Sequence, residues 1–189
     1  MRAFVAIDLA DKVRAALARE QARLKAACAH YRDIRWTRPE GLHLTLKFLG
    51  EIEKAQATSV VAALQGLGGF DPFKAEVKGF GFFPDARRPR VFWVGLQGPP
   101  ALSELAAGVE AALEPLGFAP EHRPFKPHLT LARFDRPQSP ATLTAAINDS
   151  SVGSVGQFEV SEFFLFESRL RPGGAEYLKL ARFPWPQSA

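Results

Sequence analysis

The sequence predicts an α+β fold: two lobes related by an approximate two-fold axis, each a mainly antiparallel sheet with outer helices, flanking a central cleft. Three observations predict it. The tetrapeptide His43-Leu44-Thr45-Leu46 recurs unchanged as His128-Leu129-Thr130-Leu131. Each copy sits in the same succession of elements: strand, helix, repeated strand, helix, long aromatic strand. The offsets also agree, with the two histidines 85 residues apart and the opening strands, at Phe4 and Phe92, 88 apart. Only two units exist, so this is a duplication rather than a solenoid. It gives approximate repeats at 2–83 and 90–182 within one domain spanning 1–189.

Each element has a local reason. Residues 2–8 alternate as a strand does. Asp11 opens a helix to about residue 29, with Val13, Leu17, Leu24 and Cys28 on one stripe. A short strand at 34–37 lies in an Arg-rich segment, and Pro39-Glu40-Gly41 is a turn. The first repeated strand extends through Lys47-Phe48-Leu49 and stops at Gly50. A second helix covers about 53–67 with Val60, Val61, Leu64 and Leu67 inward, and ends at Gly68-Gly69. A long strand follows at 73–83, where Gly79 and Gly81 predict a bulge or a close backbone approach.

The second unit opens with a buried strand at 91–96. A helix over about 101–116 carries Leu102, Leu105, Val109, Leu113 and Leu116 on one side, with Gly117 as its stop. Pro127 introduces the second repeated strand. Ser139-Pro140 reads as N-cap and first residue of a short helix to about Asn148. One long aromatic strand is expected at 158–168. Pro172-Gly173-Gly174 then turns the chain into a last strand at 176–182, and a loose tail follows from Pro184.

Composition bounds the function. Of the 189 residues 47% are hydrophobic, enough for a proper core, and no apolar run nears the roughly 20 residues a membrane-spanning helix needs. No signal-peptide layout opens the chain, so a cytoplasmic location is expected. The single cysteine, Cys28, excludes an intrachain disulfide and cysteine-built metal sites. Net charge is only +4, but 16 of the 24 basic residues are Arg, the side chain suited to bidentate phosphate contacts.

A strand points alternate side chains to opposite faces. Each histidine therefore shares a face with the Thr two residues on, while the leucines face a core. One such copy is an ordinary half-buried strand. Two copies related by a two-fold axis would bring His43 and His128 together across a cleft. One imidazole can take a proton while the other gives one, and in-line displacement at phosphorus needs both transfers. Thr45 and Thr130 could donate to non-bridging oxygens. Arg133 could supply a cation, although strict alternation puts it on the leucine face, so that role needs a strand end or a bulge there. Lys47 falls on the histidine face under the same rule. His30 and His122, the other histidines, are expected in solvent. Phe80, Phe82, Phe163 and Phe166 read mostly as core, with stacking on bases open to one or two of them, and Tyr177 reads as structural, with lining the cleft as its alternative. No His-Glu-x-x-His spacing, Walker-type loop, G-x-G-x-x-G or Gly-x-Ser-x-Gly elbow is present.

At these residues the sequence resembles the two-histidine phosphoesterases, and among them the LigT-like RNA 2′,3′-cyclic phosphodiesterases, historically called 2′-5′ RNA ligases. Both His-x-Thr-x motifs are intact. The flanks fit as well: Arg2–Ile7, Trp36 and Pro39, Lys47–Gly50, Pro127, Ala132-Arg133 and the closing Ser168, Gly174 and Tyr177. The resemblance implies hydrolysis of a 2′,3′-cyclic phosphate at RNA 3′ ends to a 2′-phosphate, with reversible 2′-5′ joining as a further capacity. It makes His43 the proton donor and His128 the proton acceptor, an order the symmetric pair alone cannot give. It maps Thr45, Thr130 and Arg133 to phosphate, and Phe48 to the base or ribose. No cofactor and no metal are expected, the partner is RNA bearing the cyclic end, and a monomer is the simplest assembly. The alternative is a nucleotide- or RNA-binding module that uses the same cleft without turnover.

Overall fold

Two antiparallel sheets meet along the strands that bear the repeated tetrapeptide. The computed structural model describes residues 1–68, 70–136, 138–149, 153–172 and 174–185. The first sheet sets β3 (His43–Glu51) beside β1 (Arg2–Asp8), then β8 (Glu162–Arg171), then β9 (Gly174–Pro184). The second sets β2 (Ile34–Trp36), β6 (His128–Phe134), β5 (Val91–Gln97), β4 (Phe73–Phe83) and β7 (Gly156–Val160) side by side. Helix α1 (Asp11–Ala27) packs on α4 (Ala141–Asn148), and α2 (Lys54–Gln65) on α3 (Pro100–Leu113). No helix of the described residues is long and apolar enough to cross a membrane.

The core follows from the two periodicities. Helix α1 buries Val13, Leu17 and Leu24, and α3 buries Leu102, Leu105, Val109 and Leu113. In β1, Ala3, Val5 and Ile7 enter this main core, while Phe4 and Ala6 form a second cluster on the opposite face with Phe164 and Phe166. Each fully buried Leu or Phe contributes about 1.5–3 kcal/mol. Helix α2 opens with a reciprocal capping box between Glu53 and Gln56.

The lobes and the sequence halves do not coincide. β4, from the first half, pairs with β5 in the second sheet, and β8, from the second half, pairs with β1 in the first. The aromatic stretch expected as one strand at 158–168 is two strands in different sheets. Its pattern changes at the break for a physical reason. β7 is an edge strand with one buried face, so Phe158 and Val160 alternate with exposed residues. β8 is interior and covered on both faces, so Phe163–Phe166 are all buried.

Smaller differences have similar causes. The repeated strand does not stop at Gly50, which passes through the left-handed region (φ +73) and lets β3 continue to Glu51. β5 is half-buried by alternation, not fully buried. Leu116 is exposed because α3 ends at Leu113 and tightens into a 3₁₀ turn. Helix α2 ends at Gln65 with Gly66 as its cap, and α4 starts at Ala141 with Pro140 as the capping position. β9 runs through Pro184 and Trp185 is buried, so the loose tail does not begin there. Gly69, Gly173 and residues 186–189, parts of the expected helix end, turn and tail, lie outside the described residues.

Both expectations for β4 hold. Its pairing with β5 shifts register between Val77 and Phe80, around Gly79 at φ +77. A Cβ at Gly81 would collide with the indole ring of Trp93. Gly81→Ala is therefore expected to cost about 1–3 kcal/mol of unfolding free energy. Guanidinium unfolding measures that loss, and an unchanged midpoint would show that the ring has room to move.

Candidate active site

Both motif strands carry an extra residue at the same place, and β3 carries a second one further on, at Leu49. Against β1, Ala6 pairs with Thr45 and Val5 with Lys47, so Leu46 is bulged. Against β5, Trp93 pairs with Thr130 and Phe92 with Ala132, so Leu131 is bulged. A bulge slips the alternation by one residue. In β3 both Leu46 and Lys47 are buried, and Phe48 returns to the histidine face at 64% exposure. In β6 both Leu131 and Ala132 are buried, and Arg133 returns to the histidine face. Of the two ways open to Arg133, a strand end or a bulge, the structure has the bulge.

The same slip overturns the placement of Lys47. It points into the protein at 6% exposure, ion-pairs with Glu110 of α3 and donates to the Ala119 carbonyl at 2.8 Å. It is a structural cation and not part of the cleft.

The two imidazoles are held alike. His43 Nδ1 lies 2.8 Å from the Gly41 carbonyl, and His128 Nδ1 lies 2.6 Å from the Lys126 carbonyl. A carbonyl oxygen only accepts, so each Nδ1 carries a hydrogen. In the neutral ring Nε2 is then a bare acceptor. Among the described residues, neither Nε2 has a hydrogen-bond partner. The His43 ring stacks on Phe4 at 4.5 Å, and Tyr177 meets its edge at 5.0 Å. Phe83 meets the His128 ring edge-on at 4.8 Å, with Trp93 at 6.2 Å.

Burial dominates both acidities. It lowers His43 to about 4, against the upward pull of the Gly41 carbonyl and the Asp8 carboxylate, with Arg14 pushing down as well. Burial also lowers His128; the Lys126 carbonyl opposes this and the Arg133 charge adds to it. Arg133 acts on Tyr177 too, where it works against a rise caused by burial. One cation on β6 thus reaches both the His128 ring and the phenol that touches His43. Thr45 and Thr130 are half-buried, and among the described residues neither hydroxyl has a protein partner.

A cavity of about 560 Å³ opens beside His43, lined also by Tyr177, Asp8, Arg14, Lys179 and Glu40. His128 lies outside that lining. Asp8 faces His43 across the ladder and accepts from Leu9 N, Lys179 and Arg14. Burial works against its ionised form, but Lys179 and Arg14 hold the Asp8 carboxyl below its ordinary value. No three His, Cys, Asp or Glu among the described residues gather to hold a metal ion. Phe163 is core, Phe80 and Phe82 pack against the core, and Phe166 belongs to the face under His43. His30 and His122 are exposed, as expected.

The family model for LigT like phosphoesterases matches the chain twice in tandem, over residues 7–93 and 94–177. The chain is a LigT-like phosphoesterase. It is 34% identical to an RNA 2′,3′-cyclic phosphodiesterase of Methanothermobacter thermautotrophicus, over 97% of this chain and 98% of that one. A Thermus thermophilus protein of the same name is 35% identical over 97% of this chain and 89% of its own length. Among solved structures, one from Thermus thermophilus superposes with a TM-score of 0.77 at 32% identity, over 97% of each chain. LigT of E. coli solved with 3′-AMP gives 0.74 at 28% identity, over 98% of each chain.

Two features of this LigT-like site escape sequence reading. Tyr177, read first as structural with cleft lining as the lesser alternative, lines the cavity and touches His43. Asp8 carries a signal, since it continues the Phe4, Ala6 alternation onto the His43 face. Side-chain NMR titration is expected to place His43 at about 4 and His128 below the usual 6.5. Asp8→Asn should move His43 lower still, because it removes a charge favouring the imidazolium. A rise would show that Asp8 acts otherwise. The depressed His43 also fixes a sign for stability. Its contribution is full above pH 6.5, where the unfolded histidine is neutral too, and is lost as pH falls toward 4.

Proposed function

We propose that the protein hydrolyses the 2′,3′-cyclic phosphate at RNA 3′ ends to a 2′-phosphate, with His43 as proton donor and His128 as proton acceptor. The observation that carries the reading is the matched pair of imidazoles, each locked through Nδ1 with a free Nε2. The names of the relatives support the substrate, and their similarity spans nearly the whole chain.

In this mechanism His128 Nε2 takes a proton from water as the oxygen attacks phosphorus. The bond from phosphorus to O3′ breaks on the opposite side, and the His43 imidazolium gives O3′ its proton. One water is consumed, and a 2′-phosphomonoester and a free 3′ hydroxyl result. Thr45 and Thr130 donate to the non-bridging oxygens, and Arg133 balances their charge. Phe48 packs against the terminal nucleoside. With a 5′ hydroxyl in place of water, the same forward step would join ends: His128 takes the hydroxyl proton, the bond from phosphorus to O3′ breaks, His43 protonates O3′, and a 2′-5′ phosphodiester results with no nucleotide cofactor. The internal pairing of both lobes suits a monomer.

A donor with a pKa of about 4 is mostly neutral in the empty protein. The negative charge of a bound phosphate favours the imidazolium and raises it. The working free form has a proton on His43 and none on His128, and both groups titrate below 6.5. Thus kcat/KM is expected to fall as pH rises above 6.5, while kcat, which reports the complex, holds to higher pH. A kcat/KM that climbs through that range would sink the donor role of His43.

The deciding experiment incubates an oligoribonucleotide bearing a terminal cyclic phosphate with the protein, without ATP and with chelator, and identifies the product end. A 2′-phosphate is expected, and His43→Ala or His128→Ala should each cost at least about 10²-fold in kcat with circular dichroism unchanged. A 3′-phosphate product would reverse the regiochemistry. Tight binding without any turnover would favour the binding-module reading.

A further inference from the structure

Helix α1 buries two polar residues among its apolar ones: Glu20, which ion-pairs with Arg23 of the same helix, and Gln21, which reaches away from the helix. Gln21 lies four residues after Leu17 and three before Leu24, and is buried at 5% exposure. Its amide spans the lobe beneath the second motif. Nε2 donates to the Leu131 carbonyl at 2.9 Å and to the Thr37 carbonyl at 2.8 Å. Leu131 is the bulged residue of β6, and Thr37 ends the neighbouring strand, where its own N–H donates to the Leu131 carbonyl at 2.8 Å.

A bulge disrupts the ladder locally, so its backbone groups need other partners. Inside a protein such groups are almost always satisfied, because leaving them bare is costly. Here the Leu131 carbonyl takes two donors, Thr37 N–H and the Gln21 amide, and the second also reaches the Thr37 carbonyl, so it fastens the bulge and the chain beside it to helix α1. In a regular β6, without the bulge, Arg133 would turn to the core side and Ala132 would face the cleft.

We propose that Gln21 is a positioning residue for the cleft: its amide holds the β6 bulge in the register that turns Arg133 toward the substrate phosphate. This rests on the reading above that Arg133 meets that phosphate. Gln21 touches no reacting atom and acts only through Arg133.

The test is a double-mutant cycle in kcat/KM on an oligoribonucleotide with a terminal cyclic phosphate. Gln21→Met keeps the length of the side chain and removes its donor, and is expected to lower kcat/KM about tenfold. Arg133→Ala should lower it about a hundredfold. The double variant should be no slower than Arg133→Ala alone, because the first loss runs through the second residue. A merely structural Gln21 would leave kcat/KM unchanged and show itself in thermal melts alone, whereas one acting independently of Arg133 would multiply the two losses. Gln21→Glu, which sets an acceptor against two carbonyls, gives a second variant expected to lose at least as much as Gln21→Met. Assays are run below the Tm of every variant.

Wild-type kcat/KM in Gln21→Met or Gln21→Glu, or multiplied losses in the double variant, with Arg133→Ala impaired, would overturn this inference alone. An unimpaired Arg133→Ala would overturn the phosphate role of Arg133, and the role of Gln21 with it.

Discussion

The site depends on one extra residue in each motif strand. Without the bulges at Leu46 and Leu131, β3 would present His43, Thr45 and Lys47, and β6 would present His128, Thr130 and Ala132. With them, the third cleft position becomes Phe48 on one side and Arg133 on the other. The backbone device is the same in both lobes, but the residues it delivers differ. An aromatic ring and a guanidinium at matching places break the symmetry of a symmetric frame. A nucleotide, with an apolar base at one end and a charged phosphate at the other, has the same asymmetry.

The burial of the two imidazoles repeats this theme. Both rings are pressed by aromatic side chains and both are driven toward neutrality, which removes positive charge from an empty cleft. The remaining cations near His43, Arg14 and Lys179, are engaged by Asp8. Arg133 stays exposed with its charge directed at the cleft groups. An anion entering there favours the imidazolium, so in the proposed mechanism the protonation of His43 is coupled to occupancy rather than present beforehand.

Much of this is legible in the sequence because the signals are local. The repeated tetrapeptide specifies two strands and their faces, and the helix stripes locate the core through Leu17, Leu105 and their neighbours. What stays hidden is non-local. Alternation misplaces Lys47 because it is a rule for regular strands, and nothing in Leu46-Lys47 marks an extra residue. Tyr177 is not assigned to the cleft by its own stretch because its neighbour His43 lies far away in sequence. The split at Ser161 is written in the chain, as a change from alternating to continuous apolar residues, but it shows only once one asks how many faces of a strand are covered. Gln21 announces itself only as a polar intruder in a stripe.

The exchange of β4 and β8 between sheets also bears on how the molecule is made. β1 lies between β3 and β8, so one flank of it waits for a partner more than 150 residues downstream. While the polypeptide emerges from the ribosome, that flank is an open hydrogen-bonding edge beside apolar Phe4 and Val5, a template for mispairing until synthesis is nearly finished. Closing such a distant pair makes slow folding the natural expectation. The arrangement that joins the two lobes in the mature protein is therefore a liability at its birth.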